Sequence, residues 1–303
     1  MVNRLTPDKG EHSPLWRNTM QEYGKSFVVL EKDIICECKD IDVPIISAPI
    51  IHNHDGYELL LLLDGKVNLY TEGEGKILER GDLVCVKPYD FHHAKLLDYD
   101  RYDRVVINFK ESVIKKISSD KADLSQCFNQ TAPGRLNFYH LDEAEIQKLL
   151  FYSRELEASL HDTAFGADVL SLSLLTQILV MVNRYVKVDS QVEYTGIMPK
   201  LVADTFAYIE QHLTEDLSLA AMEKQLQYNG TYISRCFRKT IGITLQQYII
   251  AKRVTLAQQY LQQGISPCDV CFMTGFNNYS NFSRTFLQQI GISPKRYQLT
   301  HMK

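Results

Sequence analysis

The sequence predicts an α+β chain with three parts. These are an N-terminal β-barrel of jelly-roll type, a helical connector, and an all-α C-terminal domain with two helix-turn-helix units. Three observations predict it. Residues 25–110 are cut into short apolar runs by turn residues, residues 142–186 hold two long helical patterns, and residues 217–292 contain an internal repeat. At 303 residues the chain exceeds what one ordinary core fills, so more than one domain is expected.

Tyr57–Leu63, Lys66–Tyr70, Lys76–Leu78 and Leu83–Val86 read as strands. Turns at Asp64-Gly65, Glu72–Gly75 and Arg80-Gly81-Asp82 separate them. Asp64-Gly65 is a strong hairpin signal, because both residues accept the positive φ of a tight turn. Strands this short and this closely spaced fit a barrel or jelly roll over 25–135, after an N-terminal arm at 1–24.

The connector is expected over 136–187. Asp142 and Glu145 form a capping box that starts a helix running to about Leu160, and a second helix spans Ala167–Val186. The second has apolar residues on more than one face and must be buried on several sides, within the monomer or against a second copy. Residues 188–198 then read as a linker.

From residue 199 to 303 the chain repeats itself at an offset of 49: Ser234, Arg235, Phe237, Gly242 and Tyr248 recur as Ser283, Arg284, Phe286, Gly291 and Tyr297. Each copy reads as helix, turn, helix, glycine stop. Ser218 and Asn229 cap the two helices of the first copy. In the second, Ser266 caps with Pro267 at the first helical position, and Asn277 or Asn278 caps the next helix. Leu245–Gln262 is a helix able to join the modules.

With Ile233, Phe237, Phe282 and Phe286 inward, the second helix of the first copy turns Thr231, Tyr232, Ser234, Arg235 and Arg238 outward. The second copy presents Tyr279, Ser280, Asn281, Ser283 and Arg284. Arginine, serine and asparagine on such a helix suit base edges in a major groove, which makes double-stranded DNA the expected partner. Lys239, Lys252, Arg253 and Lys295 are expected to meet phosphates. The charge agrees: residues 199–303 hold 11 basic and 6 acidic residues, against 22 and 31 in the rest.

Residues 199–298 resemble the DNA-binding domain of the AraC/XylS family of transcription regulators. The resemblance rests on Leu217-x-Leu219, Tyr232-Ile-Ser-Arg235-x-Phe237, Gly242, Tyr248, Arg253-x3-Ala257-x3-Leu261, Gly275-Phe276, Phe282-Ser-Arg284-x-Phe286 and Gly291-x-Ser293-Pro294-x2-Tyr297. Glu223 and Cys271 stand where the family usually has alanine, and Glu223 needs a partner or solvent.

The order His52-x-His54-x3-Glu58-x6-Gly65, then Gly81-x6-Pro88-x3-His92, resembles a cupin barrel and the sensing domain of many such regulators. In metal-binding cupins the positions matching His52, His54, Glu58 and His92 are ligands. The reading favoured here is a metal-free effector pocket lined by His52, His54, Tyr57, Glu58 and His92, with Phe91 and His93 as further lining. No cofactor is expected. The resemblance implies a homodimeric regulator controlled by a small-molecule effector, with a sugar as one class and RNA polymerase as a further partner. Two readings compete with it: a metal-dependent cupin enzyme carrying DNA-binding units, and an interaction protein with an empty barrel.

Other features restrict the setting. The N-terminus lacks the apolar core of a signal peptide, the longest aliphatic run is Leu59–Leu63, and seven scattered cysteines suit a reducing compartment, so a cytoplasmic protein without membrane contact is expected. Cys268-x-x-Cys271 has no second CxxC and reads as helix packing rather than a zinc or redox site.

Overall fold

The structure is a computed structural model and describes residues 27–28, 30–39, 51–97, 101–130, 137–186 and 197–301. The arm expected at 1–24 and most of the expected linker lie outside these residues.

The N-terminal half contains β1 (Phe27–Val28), β2 (Ile34–Lys39), β3 (Asn53–His54), β4 (Gly56–Gly65), β5 (Val67–Thr71), β6 (Gly75–Leu78), β7 (Asp82–Val86), β8 (His92–Leu96), β9 (Tyr102–Lys110) and β10 (Asn137–His140). They form a five-stranded sheet in the order β10-β7-β4-β9-β2, a three-stranded sheet in the order β6-β5-β8, and a short parallel pair, β1-β3. The expected hairpin at Asp64-Gly65 does not form. β4 is already paired antiparallel with β7 and β9, so the turn carries the chain from one sheet to the other and β5 pairs with β6 and β8 instead.

Strand alternation explains the apolar run Leu59–Leu63. Leu60 and Leu62 join Val67, Leu69, Val84, Val86 and Leu96 in one core, whereas Leu59 and Leu61 join Leu83, Cys85 and Ile107 in another. A strand buried on both faces needs no polar alternation. The second core is closed by helices. After α1 (Glu111–Ile117) come α2 (Glu143–His161) and α3 (Ala167–Val186). The capping box of Asp142 and Glu145 is present. Leu175, Ile178, Leu179 and Val182 of α3 are fully buried in the same cluster as Leu149 and Leu156 of α2. By length and hydropathy α3 could cross a membrane, but this burial makes it a core helix. Val169 and Leu170 remain exposed.

The C-terminal half is helical: α4 (Lys200–Gln211), α5 (Leu219–Leu226), α6 (Gly230–Ile241), α7 (Leu245–Gln262), α8 (Pro267–Met273), α9 (Tyr279–Ile290) and α10 (Pro294–His301). The expected caps form: Ser218 accepts from Ala221 N–H, Asn229 from Thr231 and Tyr232 N–H, Ser266 from Asp269 N–H, and Asn278 from Asn281 N–H. Gly242 and Gly291 end α6 and α9 in the left-handed region, at φ 88° and 86°. α7 belongs to two cores. Leu245, Tyr248, Ile249 and Ala251 pack with α4 and α6, and Val254, Ala257 and Leu261 pack with α8, α9 and α10.

The two halves meet along α7. Tyr248, Lys252, Thr255 and Gln262 fall on one stripe of that helix, and each bonds to the N-terminal half. The Tyr248 hydroxyl donates to Glu72 Oε1 (2.5 Å), Lys252 Nζ lies 2.8 Å from the same oxygen, Asn53 Nδ2 donates to Thr255 Oγ1 (3.0 Å), and Gln262 Nε2 donates to the Tyr89 hydroxyl (3.2 Å). Ile51, Tyr70 and Phe91 join the core of the first helix-turn-helix unit, with Phe91 edge-on to Tyr248.

Candidate DNA-reading helices and effector site

α6 and α9 present the side chains that the repeat predicts. Ile233, Phe237, Phe282 and Phe286 are fully buried. Thr231, Tyr232, Arg235, Arg238, Lys239, Tyr279, Ser280, Asn281 and Arg284 are exposed, and Ser234 and Ser283 are half-buried. The Arg235 guanidinium lies 5.4 Å from the centre of the Tyr232 ring, and Tyr232 stacks on Tyr228. Among the described residues no salt bridge engages Arg235 or Arg284, so both guanidinium groups keep their donors for a partner.

Glu223 finds its partner at the start of α6, where Oε1 accepts from Gly230 N–H (2.5 Å). A carboxylate at a helix N-terminus is favourable there. Gly230 permits the approach, since a Cβ would lie 3.0 Å from Leu219 Cβ.

Two residues expected on phosphates are engaged inside the protein. Lys252 is held by Glu72 and Glu210, at 2.8 and 2.7 Å. Burial alone would lower its pKa, but the two carboxylates outweigh it and raise it. Arg253 donates to the carbonyls of Leu213 and Glu215. Cys271 packs inside the second unit as expected, whereas Cys268 is exposed.

The barrel brings together four of the five expected effector residues. His52 and His92 form a backbone bridge, each amide donating to the other's carbonyl at 3.0 Å. One ligand atom from each of His52, His54 and His92 lies within 4.8 Å of the others. Glu58 enters from β4, its carboxylate 3.2 Å from His54 Nε2 and 3.6 Å from His92 Nε2. His54, Glu58 and His92 are all buried. Burial would raise the Glu58 pKa, but the surrounding imidazoles hold it well below the usual carboxylate range. Burial pulls His92 down, while the adjacent Glu58 carboxylate overcomes burial at His54 and raises it.

Tyr57 is not part of this group. It sits on the other face of β4 from Glu58, stacked on Phe109 and against Phe128 (5.6 and 4.7 Å between ring centres), because successive strand residues face opposite ways. Phe91 packs on Tyr248, and His93 lies near Tyr70.

Sequence reasoning missed the Lys87–Phe91 turn. Tyr89 holds φ at 70°, a left-handed conformation costly for a bulky residue. Its amide donates to the His54 carbonyl (2.8 Å), its carbonyl accepts from Asn53 Nδ2 (3.1 Å), and its hydroxyl meets Gln262. Only a glycine there would have signalled the positive φ. Two cavities, of about 290 and 520 Å³, lie elsewhere; Arg80, Arg101 and Arg154 line the first, and Lys116, Ser159 and Asp168 the second.

Residues 49–179 match an AraC-like ligand-binding domain, and residues 222–300 match a helix-turn-helix domain. The HTH-type transcriptional regulator YbfI of Bacillus subtilis strain 168 is 26% identical over 238 residues, covering 76% of this chain and 80% of YbfI. The HTH-type transcriptional regulator SAS0078 of Staphylococcus aureus strain MSSA476 is 23% identical over 259 residues, covering 83% of this chain. This chain spans 32% of the length of SAS0078. The crystal structure of ToxT from Vibrio cholerae O395 is 13% identical, covers 89% of this chain and 99% of ToxT, and superposes with a TM-score of 0.35. With the ligand-binding match ahead of the helix-turn-helix match in one polypeptide, the chain belongs to the AraC family of transcription regulators.

Proposed function

We propose that the protein is a sequence-specific duplex-DNA-binding transcription regulator whose affinity for DNA is set by an effector at the His52–His54–Glu58–His92 cluster. One observation carries this reading. The residues beside the cluster, Asn53 and Tyr89, bond to α7, the helix shared by both DNA-reading units. An effector that prefers one arrangement of this junction shifts the placement of α6 and α9 together.

Arg235, Arg238 and Arg284 are assigned to base edges, with Thr231, Tyr232, Ser234, Tyr279, Ser280, Asn281 and Ser283 beside them, and Lys239 to phosphate. The sugar expectation loses support, because Tyr57 supplies no aromatic wall and the cluster is small and buried. A sensing role suits the cluster better than an enzymatic one, since its neighbours Asn53 and Tyr89 bond to α7 of the DNA-reading half. The exposed Val169 and Leu170 of α3, with Phe165 beside them, support pairing with a second copy. RNA polymerase contact and a cytoplasmic setting follow from the regulator reading.

The test is selection from random duplexes with the full chain, followed by titration at several salt concentrations. A preferred duplex bound with a steep salt dependence is expected. Recovery of no preferred duplex overturns the reading.

A further inference from the structure

We infer that Tyr228, which lies in the turn before α6, sets the base selectivity of Arg235 by bracing it through the Tyr232 ring. The inference rests on the DNA-reading assignment above and adds to it a positioning residue that the second unit lacks.

The two turns differ in length. α5 ends at Gln227, which holds φ at 58° in the left-handed region, and Asn229 caps α6. Only Tyr228 stands between them. In the second unit the left-handed residue is Gly275, at φ 81°, and Asn278 caps α9. Phe276 and Asn277 stand between those two. The residue after the left-handed position is therefore aromatic in both turns, but its fate differs. Phe276 is buried and packs on Phe282, with ring centres 5.2 Å apart. Tyr228 is 48% exposed and lies beside the first turn of α6 instead.

There it meets Tyr232. The two rings stack, with 6.1 Å between centres and 29° between planes. The Arg235 guanidinium lies 5.4 Å from the centre of the Tyr232 ring. Tyr232 and Arg235 are three apart on α6, and so are neighbours on its surface. Tyr228, Tyr232 and Arg235 thus form an exposed ladder. The second unit has no counterpart. At the repeat offset of 49, Asn277 and Asn281 occupy the positions of Tyr228 and Tyr232. Among the described residues no aromatic face lies against the Arg284 guanidinium. Tyr279 is turned to Phe282, at 6.0 Å.

The ladder bears on selectivity through the shape of arginine. A guanidinium is a planar fork, and bidentate bonding to a guanine edge needs that plane aligned with the base. An unbraced arginine also reaches phosphates, which add affinity without discrimination. The electron-rich face of Tyr232 attracts the guanidinium and narrows its range before DNA arrives. Less ordering then remains to be done on binding. Tyr228 limits the motion of Tyr232 in turn. Tyr228 acts on the bases through Arg235 and needs no base contact of its own.

The experiment uses the full chain and the duplex selected in the test above. Arg235→Ala and Arg284→Ala first locate the base positions that each arginine reads. Competition against single-base variants then measures discrimination in Tyr228→Ala, with thermal unfolding as the check on folding. Discrimination should fall about two- to fivefold at the Arg235 positions and stay as in wild type at the Arg284 positions. Tyr228→Phe keeps the ring and should keep wild-type discrimination, whereas Tyr228→Leu should behave as alanine. Adding Tyr228→Ala to Arg235→Ala should cost no further discrimination, since the brace has nothing left to hold. In the DNA-free protein, nitrogen relaxation of the Arg235 Nε–H should show greater mobility in Tyr228→Ala, with the Arg284 Nε–H unaltered.

Unchanged discrimination in Tyr228→Ala overturns the inference. So does an equal loss of affinity for every duplex, which would put Tyr228 on phosphate or in a purely structural role. A Tyr228→Phe variant as poor as alanine would assign the effect to the hydroxyl and overturn the stacking argument. Unchanged Arg235 mobility removes the brace whatever the DNA result. A wild-type chain that selects no duplex overturns the regulator reading, and the relaxation measurement still judges the brace separately.

Discussion

Lys252 Nζ and Glu72 Oε1 lie 2.8 Å apart across the junction of the two halves, in surroundings that leave each side chain under one-fifth exposed. Glu72 also accepts the Tyr248 hydroxyl, and Lys252 also meets Glu210. Removing one member of a buried, hydrogen-bonded charge group strands the others. Glu72→Ala should therefore destabilise the chain by about 2–4 kcal/mol in urea unfolding. Lys252→Ala should leave the salt dependence of DNA binding unaltered, since this ammonium does not face phosphate. A flatter salt dependence would return Lys252 to the DNA surface.

Arg284 and Arg235 are expected to read bases. Each substitution to alanine should weaken binding to the preferred duplex by about 1–3 kcal/mol and relax preference at one or two positions of a single half-site. Competition against single-base variants of the selected duplex checks this. A uniform loss across all variants would place these side chains on phosphates.

Glu223→Ala should cost about 1 kcal/mol of stability by leaving the Gly230 amide without its carboxylate at the start of α6. Glu223→Gln should recover part of the loss, because the amide oxygen can still accept. Thermal unfolding of the three chains gives the order directly, and an alanine variant as stable as wild type would make the contact energetically empty.

Asp90 yields a pH prediction. Burial pushes its carboxyl up to about 6, partly offset by Lys87, with Glu72 adding to the rise and Lys252 and His54 opposing it. An acid whose pKa is higher folded than unfolded contributes stability that is full below about 3.9 and is lost as pH rises through its folded value. Asp90→Asn lacks this loss. It should exceed wild type in stability by roughly 1–3 kcal/mol at pH 7.5, and the gap should narrow as pH falls from 6 toward 4. A gap independent of pH would mean that Asp90 is not the group responsible.

What the sequence revealed was local. Ser218, Asn229, Asp142 and Ser266 mark helix starts because each bonds to an amide two or three residues away. Ile233 and Phe237 reveal the buried face of α6 by their spacing alone. His52, His54, Glu58 and His92 were picked from a motif order, and the strands bring them together. Two of the errors come from dependence on distant partners, and the third from ignoring strand alternation. Asp64-Gly65 has hairpin chemistry, but strands β7 and β9 had claimed both edges of β4. Lys252 looked like a phosphate ligand because Glu72 is 180 residues earlier. Tyr57 was grouped with its neighbour Glu58 although a pleated strand sends them to opposite sides.

The uninterrupted run of α7 has a geometric outcome. Its first half is embedded in one reading unit and its second half in the other, and the barrel half bonds to the stripe from Tyr248 to Gln262. Whatever the barrel does to that stripe, both units are carried along as cargo on a single rod. The number of base pairs between the two contacted segments should then be identical in the effector-loaded and effector-free protein, and control must act on whether the pair lands on DNA, not on how far apart its footprints fall.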